Sequence, residues 1–132
     1  MSIYGKTAID AAELVCKGVD PLNAWQECIV RQTNSVASQK KSCPKTVFLT
    51  LAKIHKRDLL GVTETSSANE KLTFETLMLL TGNSELSKNK NKKNLWNALD
   101  TGTNHNMQLD VILSIWNSEL FSLNLEPLQK NL

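Results

Sequence analysis

Residues 42–60 read SCPKTVFLTLAKIHKRDLL, and the spacing of their apolar side chains decides the fold class. At about 100° per residue, Val47, Phe48, Leu51, Ala52, Ile54 and Leu59 gather on one side of a helix. Lys45, Lys53, Lys56 and Arg57 gather on the other. Ser42 or Cys43 with Pro44 opens this helix, which runs to about Leu60 and stops at Gly61. The pattern predicts a surface helix with an apolar underside and a cationic outer face.

Upstream, Ala8 to Lys17 reads as a helix ended by Gly18. Asp20 then caps a second helix, with Pro21 at its first position and Ala24, Trp25, Cys28 and Ile29 on one face. Gln32 to Lys41 is polar and reads as loop. Downstream, a Thr/Ser/Asn-rich link from Thr63 to Asn69 leads into a helix from Leu72 to Leu80, ended by Gly82. A lysine-rich loop, Ser87 to Asn94, precedes a short helix holding Leu95, Trp96, Ala98 and Leu99. A last long helix spans roughly Met107 to Phe121. Its apolar residues Leu109, Val111, Ile112, Leu113, Ile115, Trp116 and Leu120 cover more than half the circumference, leaving a polar strip of Asp110, Ser114 and Asn117. Such a helix is largely buried, and the helices of the first half are expected to gather around it.

Strand-like alternation is nearly absent, so the expected class is all-α, a single helical domain over residues 1–132 with about six helices. The shift that carries Gly18 onto Gly82 also lays Val47–Leu51 on Val111–Ile115, although Trp25 and Trp96 do not fit it. It implies two related three-helix, helix-turn-helix-like halves, roughly 1–62 and 70–125, sharing one core.

With 132 residues the chain is long enough to bury that core. A composition 41% hydrophobic and 21% charged belongs to a folded protein, not a disordered one. The longest apolar runs, such as Leu77 to Leu80, are far below membrane-spanning length, so no membrane partner is expected. The first fifteen residues offer no apolar signal region, which makes a cytoplasmic location the expectation. Cys16, Cys28 and Cys43 are odd in number and lack Cys-x-x-Cys spacing. They read as reduced thiols, two of them filling helix faces.

The charge is unevenly distributed. Seven of the fifteen Lys and Arg residues, and none of the thirteen acidic ones, lie between Arg31 and Arg57. The formal net charge of +2 thus conceals a strongly basic segment in an otherwise acidic chain. A field of this kind points to a polyanionic partner. The candidate binding residues are Lys40, Lys41, Lys45, Lys53, Lys56 and Arg57, joined by Lys88, Lys90, Lys92 and Lys93 of the loop. Lysine on the outer face suits phosphate contact better than readout of base edges. The competing reading is a solvated lysine face that maintains solubility. Leu49 stands among these lysines, about 40° from Lys45 on the wheel. There it would serve as an interface anchor or touch a helix of the other half.

Catalytic chemistry finds little support. His55 falls on the apolar side of its helix near Phe48 and Leu51, with Asp58 as an i, i+3 partner. No serine or cysteine stands at local spacing to complete a nucleophilic site, and Cys43 would have to be brought near by the fold. His105 lies between two asparagines that suit helix capping. No metal or cofactor is expected: the Cys and His residues are scattered, and the five glycines form no phosphate loop. Trp25, Trp96 and Trp116 sit in apolar helical patterns and read as core.

Ser42-Cys43-Pro44-Lys45 followed by Phe48-Leu49, Asn104-His105-Asn106, Gln108-Leu109-Asp110-Val111 with Trp116, and the opening Tyr4-Gly5 together resemble an uncharacterised family of small bacterial proteins. The resemblance covers most of the chain and implies a small, mainly helical protein, with no activity or site residue to carry over. Where the family pattern has glycine after Cys-Pro-Lys, this chain has Thr46. The function expected from the residues is a non-enzymatic helical module that contacts DNA or RNA through its basic helix face and lysine-rich loop. The alternative is a protein-interaction module, an accessory, inhibitor or immunity-type protein, docking an acidic partner.

Overall fold

A computed structural model describes residues 2–56, 68–82 and 107–123. Among these the secondary structure is helical, without strands: α1 (Ile3–Cys16), α2 (Pro21–Gln32), α3 (Val36–Gln39), α4 (Ser42–His55), α5 (Ala68–Gly82) and α6 (Gln108–Ser118). The fold is all-α, as expected. The anticipated short helix around Trp96 lies outside the described residues.

α1 starts earlier than its apolar pattern indicates. Ser2 caps it by accepting a hydrogen bond from the Gly5 N–H (3.1 Å), which brings Tyr4 to Thr7 into the helix despite the low helix propensity of Gly5. The C-terminal end follows from Gly18. Its φ of 101° lets the Val19 N–H reach the Leu14 carbonyl and its own N–H the Val15 carbonyl, a Schellman closure. A Cβ at Gly18 would meet nothing within 4 Å, so only backbone strain opposes substitution. Gly18→Ala is expected to destabilise the protein by about 1 kcal/mol, the strain exceeding the entropy that alanine removes from the unfolded chain. A drop of a few degrees in melting temperature is the readout.

α2 forms as its sequence dictates. The Asp20 carboxylate accepts from the Asn23 N–H (3.2 Å), Pro21 opens the helix, and Ala24, Trp25, Cys28 and Ile29 are buried. The connection after it is not all loop, because Ser35 caps the single turn of α3.

α4 is more deeply set than a surface helix. Pro44, Val47, Phe48, Thr50, Leu51, Ala52 and Ile54 are all buried, and the helix packs against α1, α2, α5 and α6. Phe48 lies 5.3 Å from the Trp25 ring and 6.0 Å from that of Phe121. The helix closes at Lys56, short of Leu60.

α5 begins at Ala68, so the end of the expected Thr63–Asn69 link is helical. Its buried face is Leu72, Thr73, Thr76, Leu77 and Leu80, while Met78 is exposed. Threonine enters the core here by a repeated device. The buried Thr7, Thr50, Thr73 and Thr76 each donate a hydroxyl hydrogen to the carbonyl four residues back, at 2.7–2.9 Å.

α6 is buried over most of its surface and packs on α1 and α4. Asp110, placed by the sequence pattern on a polar strip, is buried with its neighbours. The helix ends at Ser118 and not at Phe121. Ser118 Oγ donates to the Ile115 carbonyl and accepts from the Leu120 N–H, and Glu119 takes a left-handed φ of 59°. The chain then turns back, burying Phe121 and Leu123. Under the shift that carries Gly18 onto Gly82, the ends of α1 and α4 fall within two residues of those of α5 and α6.

Candidate functional site

The cations of α4 form a strip. Ser42, Lys45, Thr46, Leu49, Lys53 and Lys56 follow one another at helical spacing, and they lie within about 100° of the wheel. Lys53 and Lys56 are exposed, while Lys45, Thr46 and Leu49 are half-buried. The broad cationic face expected for this helix is narrowed because four helices cover the rest of it.

The C-terminal part of this strip lines an open groove of about 450 Å³. Thr46, Leu49, Thr50, Lys53 and Lys56 line it from α4, Asp20, Pro21 and Leu22 from the start of α2, and Glu70 from α5. Two carboxylates therefore stand beside the two lysines, although they are far from them in sequence. Leu49 packs partly against the core and lines the groove. Leu22, which the sequence pattern did not single out, is exposed at the rim. Thr50 spends its hydroxyl hydrogen on the Thr46 carbonyl, and Asp20 accepts from the first turn of α2. Lys53 and Lys56 thus bring two ammonium groups to the groove, and Asp20 and Glu70 two carboxylates.

The other predicted lysines lie toward the start of α4. Lys40 is the exposed C-cap of α3. Lys41, the N-cap of α4, holds its Nζ 5.7 Å from the centre of the Tyr4 ring, a cation–π contact that leads it toward α1. Counted along the helix axis, Lys41 and Lys56 stand about 22 Å apart. Among the described residues the one ion pair is Arg31–Glu27, at 2.6 Å. Arg57, Lys88, Lys90, Lys92 and Lys93 lie outside the described residues, as do Asp58 and His105.

The residues weighed for catalysis are separated. Cys43 and His55 sit at opposite ends of α4, about 18 Å apart along its axis. The His55 ring stacks on Phe121 with centroids 4.6 Å apart, and its Nδ1 accepts the Ser122 backbone N–H at 2.8 Å. It fastens the segment after α6 to α4. Cys16 is exposed and donates its thiol to the Leu120 carbonyl (3.5 Å). Burial pushes the Cys28 thiol above its ordinary range, with the nearby Asp10 carboxylate adding to the effect. It is held protonated and unreactive. A second, shallower groove of about 400 Å³ is lined by Thr81, Trp116, Glu119, Phe121 and Leu123. Among the described residues neither groove is lined by a histidine or a cysteine. Among the described residues no three of His, Cys, Asp and Glu come together, and no helix is long and apolar enough to cross a membrane.

Fold and groove together define an all-helical domain with a charged, partly apolar surface cleft. The chain belongs to a family of unknown function, DUF6979, whose model matches residues 1–122. No curated protein and no solved structure matches the chain. Several of the residues that carry the family resemblance, Tyr4, Gly5, Pro44, Phe48 and Gln108 to Val111, are buried and serve the core.

Proposed function

We propose that this chain is a non-enzymatic protein-interaction module that docks an acidic protein partner on the exposed strip of α4. The observation that carries this reading is the composition of the groove. Leu49, Pro21 and Leu22 offer apolar contact beside the Lys53 and Lys56 ammonium groups. An apolar side chain set within a charged rim is the arrangement of an interface anchor. Phosphate backbones fit it less well, because they offer no apolar group to Leu49, Pro21 and Leu22.

Nucleic-acid binding through phosphates is a second reading, favoured by the other end of the same helix. There Lys40, Lys41 and Lys45 lie close in sequence to an α4 N-terminus with no acidic residue in its first turn and no side-chain cap. The two readings separate in one experiment. A photo-crosslinking residue at position 49 is expected to give protein adducts in the native host that disappear in Lys53→Glu/Lys56→Glu. Random duplex DNA and RNA should give no mobility shift at physiological salt. A shift instead, lost on reversing Lys40, Lys41 and Lys45 and falling by about 0.9 log units per log unit of salt for each phosphate, would replace the protein reading with the nucleic-acid one.

A further inference from the structure

We infer that residues 119–123 form a strap which His55 holds in place only while its imidazole is neutral, so that mild acid releases the strap from α4. Among the described residues neither His55 nor the strap lines the groove over Leu49, so the device is independent of what docks there.

The chain after α6 is pinned at successive residues. The Cys16 thiol of α1 donates to the Leu120 carbonyl, Phe121 is buried against the Phe48 and His55 rings, and the Ser122 N–H donates to His55 Nδ1 at 2.8 Å. The strap begins at Glu119, whose left-handed φ of 59° costs conformational energy in a non-glycine residue and is kept only where the surroundings enforce it. Glu119, Phe121 and Leu123 line the second groove together with Thr81 and Trp116. Moving the strap therefore remakes that groove and uncovers Phe121 and Leu123, both buried in the closed form.

Proton chemistry makes one of these pins conditional. An imidazole nitrogen that accepts a hydrogen bond carries no hydrogen, so the neutral His55 ring bears its proton on Nε2. The next proton can only go to Nδ1. The charged ring then has donors on both nitrogens and turns one of them toward the Ser122 N–H, donor against donor. The stack on Phe121 acts in the other direction, because an aromatic face attracts a cation. That attraction preserves the stack only if Nδ1 swings away from Ser122, which ends the hydrogen bond all the same.

Charged neighbours alter the pH at which the ring charges, not the nitrogen that takes the proton. On α4 these are Lys53 and Lys56, both exposed. The strap itself contributes Glu119, and α1 brings Lys17 next to Cys16. The end of α5 adds none from Met78 to Thr81, and Asp58 lies outside the described residues. Histidine ordinarily titrates between about pH 5 and 8. The bond favours the neutral ring, so its contribution is complete well above that titration and is lost as the pH falls through it.

Hydrogen exchange of the full chain, followed amide by amide by NMR, tests this. Between about pH 7.5 and about pH 5 the protection of the Ser122 amide, taken relative to an unstructured chain at each pH, should fall at least about tenfold, the effect of losing one hydrogen bond. Amides in α1 and α4 should keep theirs. His55→Phe retains a ring against Phe121 and removes the acceptor, so its Ser122 amide should be poorly protected at both pH values. Nitrogen chemical shifts of the parent imidazole should show the proton on Nε2 at neutral pH, a result that does not require the variant to fold. A proton on Nδ1 would overturn the inference, as would Ser122 protection that is equal at the two pH values. Loss shared by all the helices marks ordinary acid unfolding and overturns it too. So does an acid response that persists in His55→Phe, which would place the switch on another group.

Discussion

Phe48→Ala is expected to lower the free energy of unfolding by about 3–5 kcal/mol, enough to leave a domain of ordinary stability barely folded. The ring is fully buried and touches two other aromatic residues, Trp25 of α2 and Phe121 of the segment after α6. Its removal takes away transfer energy and leaves a cavity that three separate elements would have to close. Each aromatic contact adds about 0.5–1.5 kcal/mol beyond the area buried. Phe121 also carries the stack with His55, so its displacement would loosen the Ser122–His55 hydrogen bond. Equilibrium unfolding in urea, followed by far-ultraviolet circular dichroism, measures the loss. Phe48→Leu should recover more than half of it, because most of the volume returns. A loss under about 1 kcal/mol for the alanine variant would mean that α4 is not the centre of the core.

That central place was only half legible in the residues. The wheel of α4 sorts its apolar positions correctly, since Val47, Phe48, Leu51, Ala52 and Ile54 are all buried. It does not show that Pro44 and Thr50 are buried too, which turns a half-sunk helix into one enclosed on most sides. Burying Thr50 costs little once its hydroxyl bonds back within the helix, and apolar periodicity carries no sign of this. The same effect hides the true face of α5. Thr73 and Thr76 take core positions, while Met78 is left in solvent. α2 was fully legible because every signal is local: the Asp20 cap, Pro21 behind it, and one uninterrupted apolar face.

The groove was legible only from one side. Lysines at 53 and 56 and the leucine among them can be read from α4 alone. Asp20 and Glu70 are outside the acid-free segment, and only tertiary packing sets them beside it. At this groove, charge segregated along the chain is not segregated in space. Leu22 was missed because it sits next to a proline at a helix start, where no periodicity marks it.

Ala12→Leu is expected to destabilise the protein by about 1–3 kcal/mol, although leucine is the more hydrophobic residue and an equally acceptable helix former. Ala8, Ala11 and Ala12 on α1 and Ala24 on α2 are wholly inaccessible to solvent. α1 packs most extensively against α2 and next against α6. Small side chains at those positions allow the backbones to approach closely, and close packing leaves no space for the added carbons. Area-based reasoning gives the opposite sign, a gain from extra apolar surface. Thermal unfolding of Ala12→Leu therefore separates jigsaw packing from simple hydrophobicity. Glu13→Leu, exposed on the same turn, should stay within about 0.5 kcal/mol of the parent and controls for helix propensity. Because α1 does not line the groove, an overpacked α1 should lower the melting temperature while crosslinking from position 49 holds, measured well below the transition. Loss of crosslinking in step with stability would show that the strip depends on how α1 sits against the core.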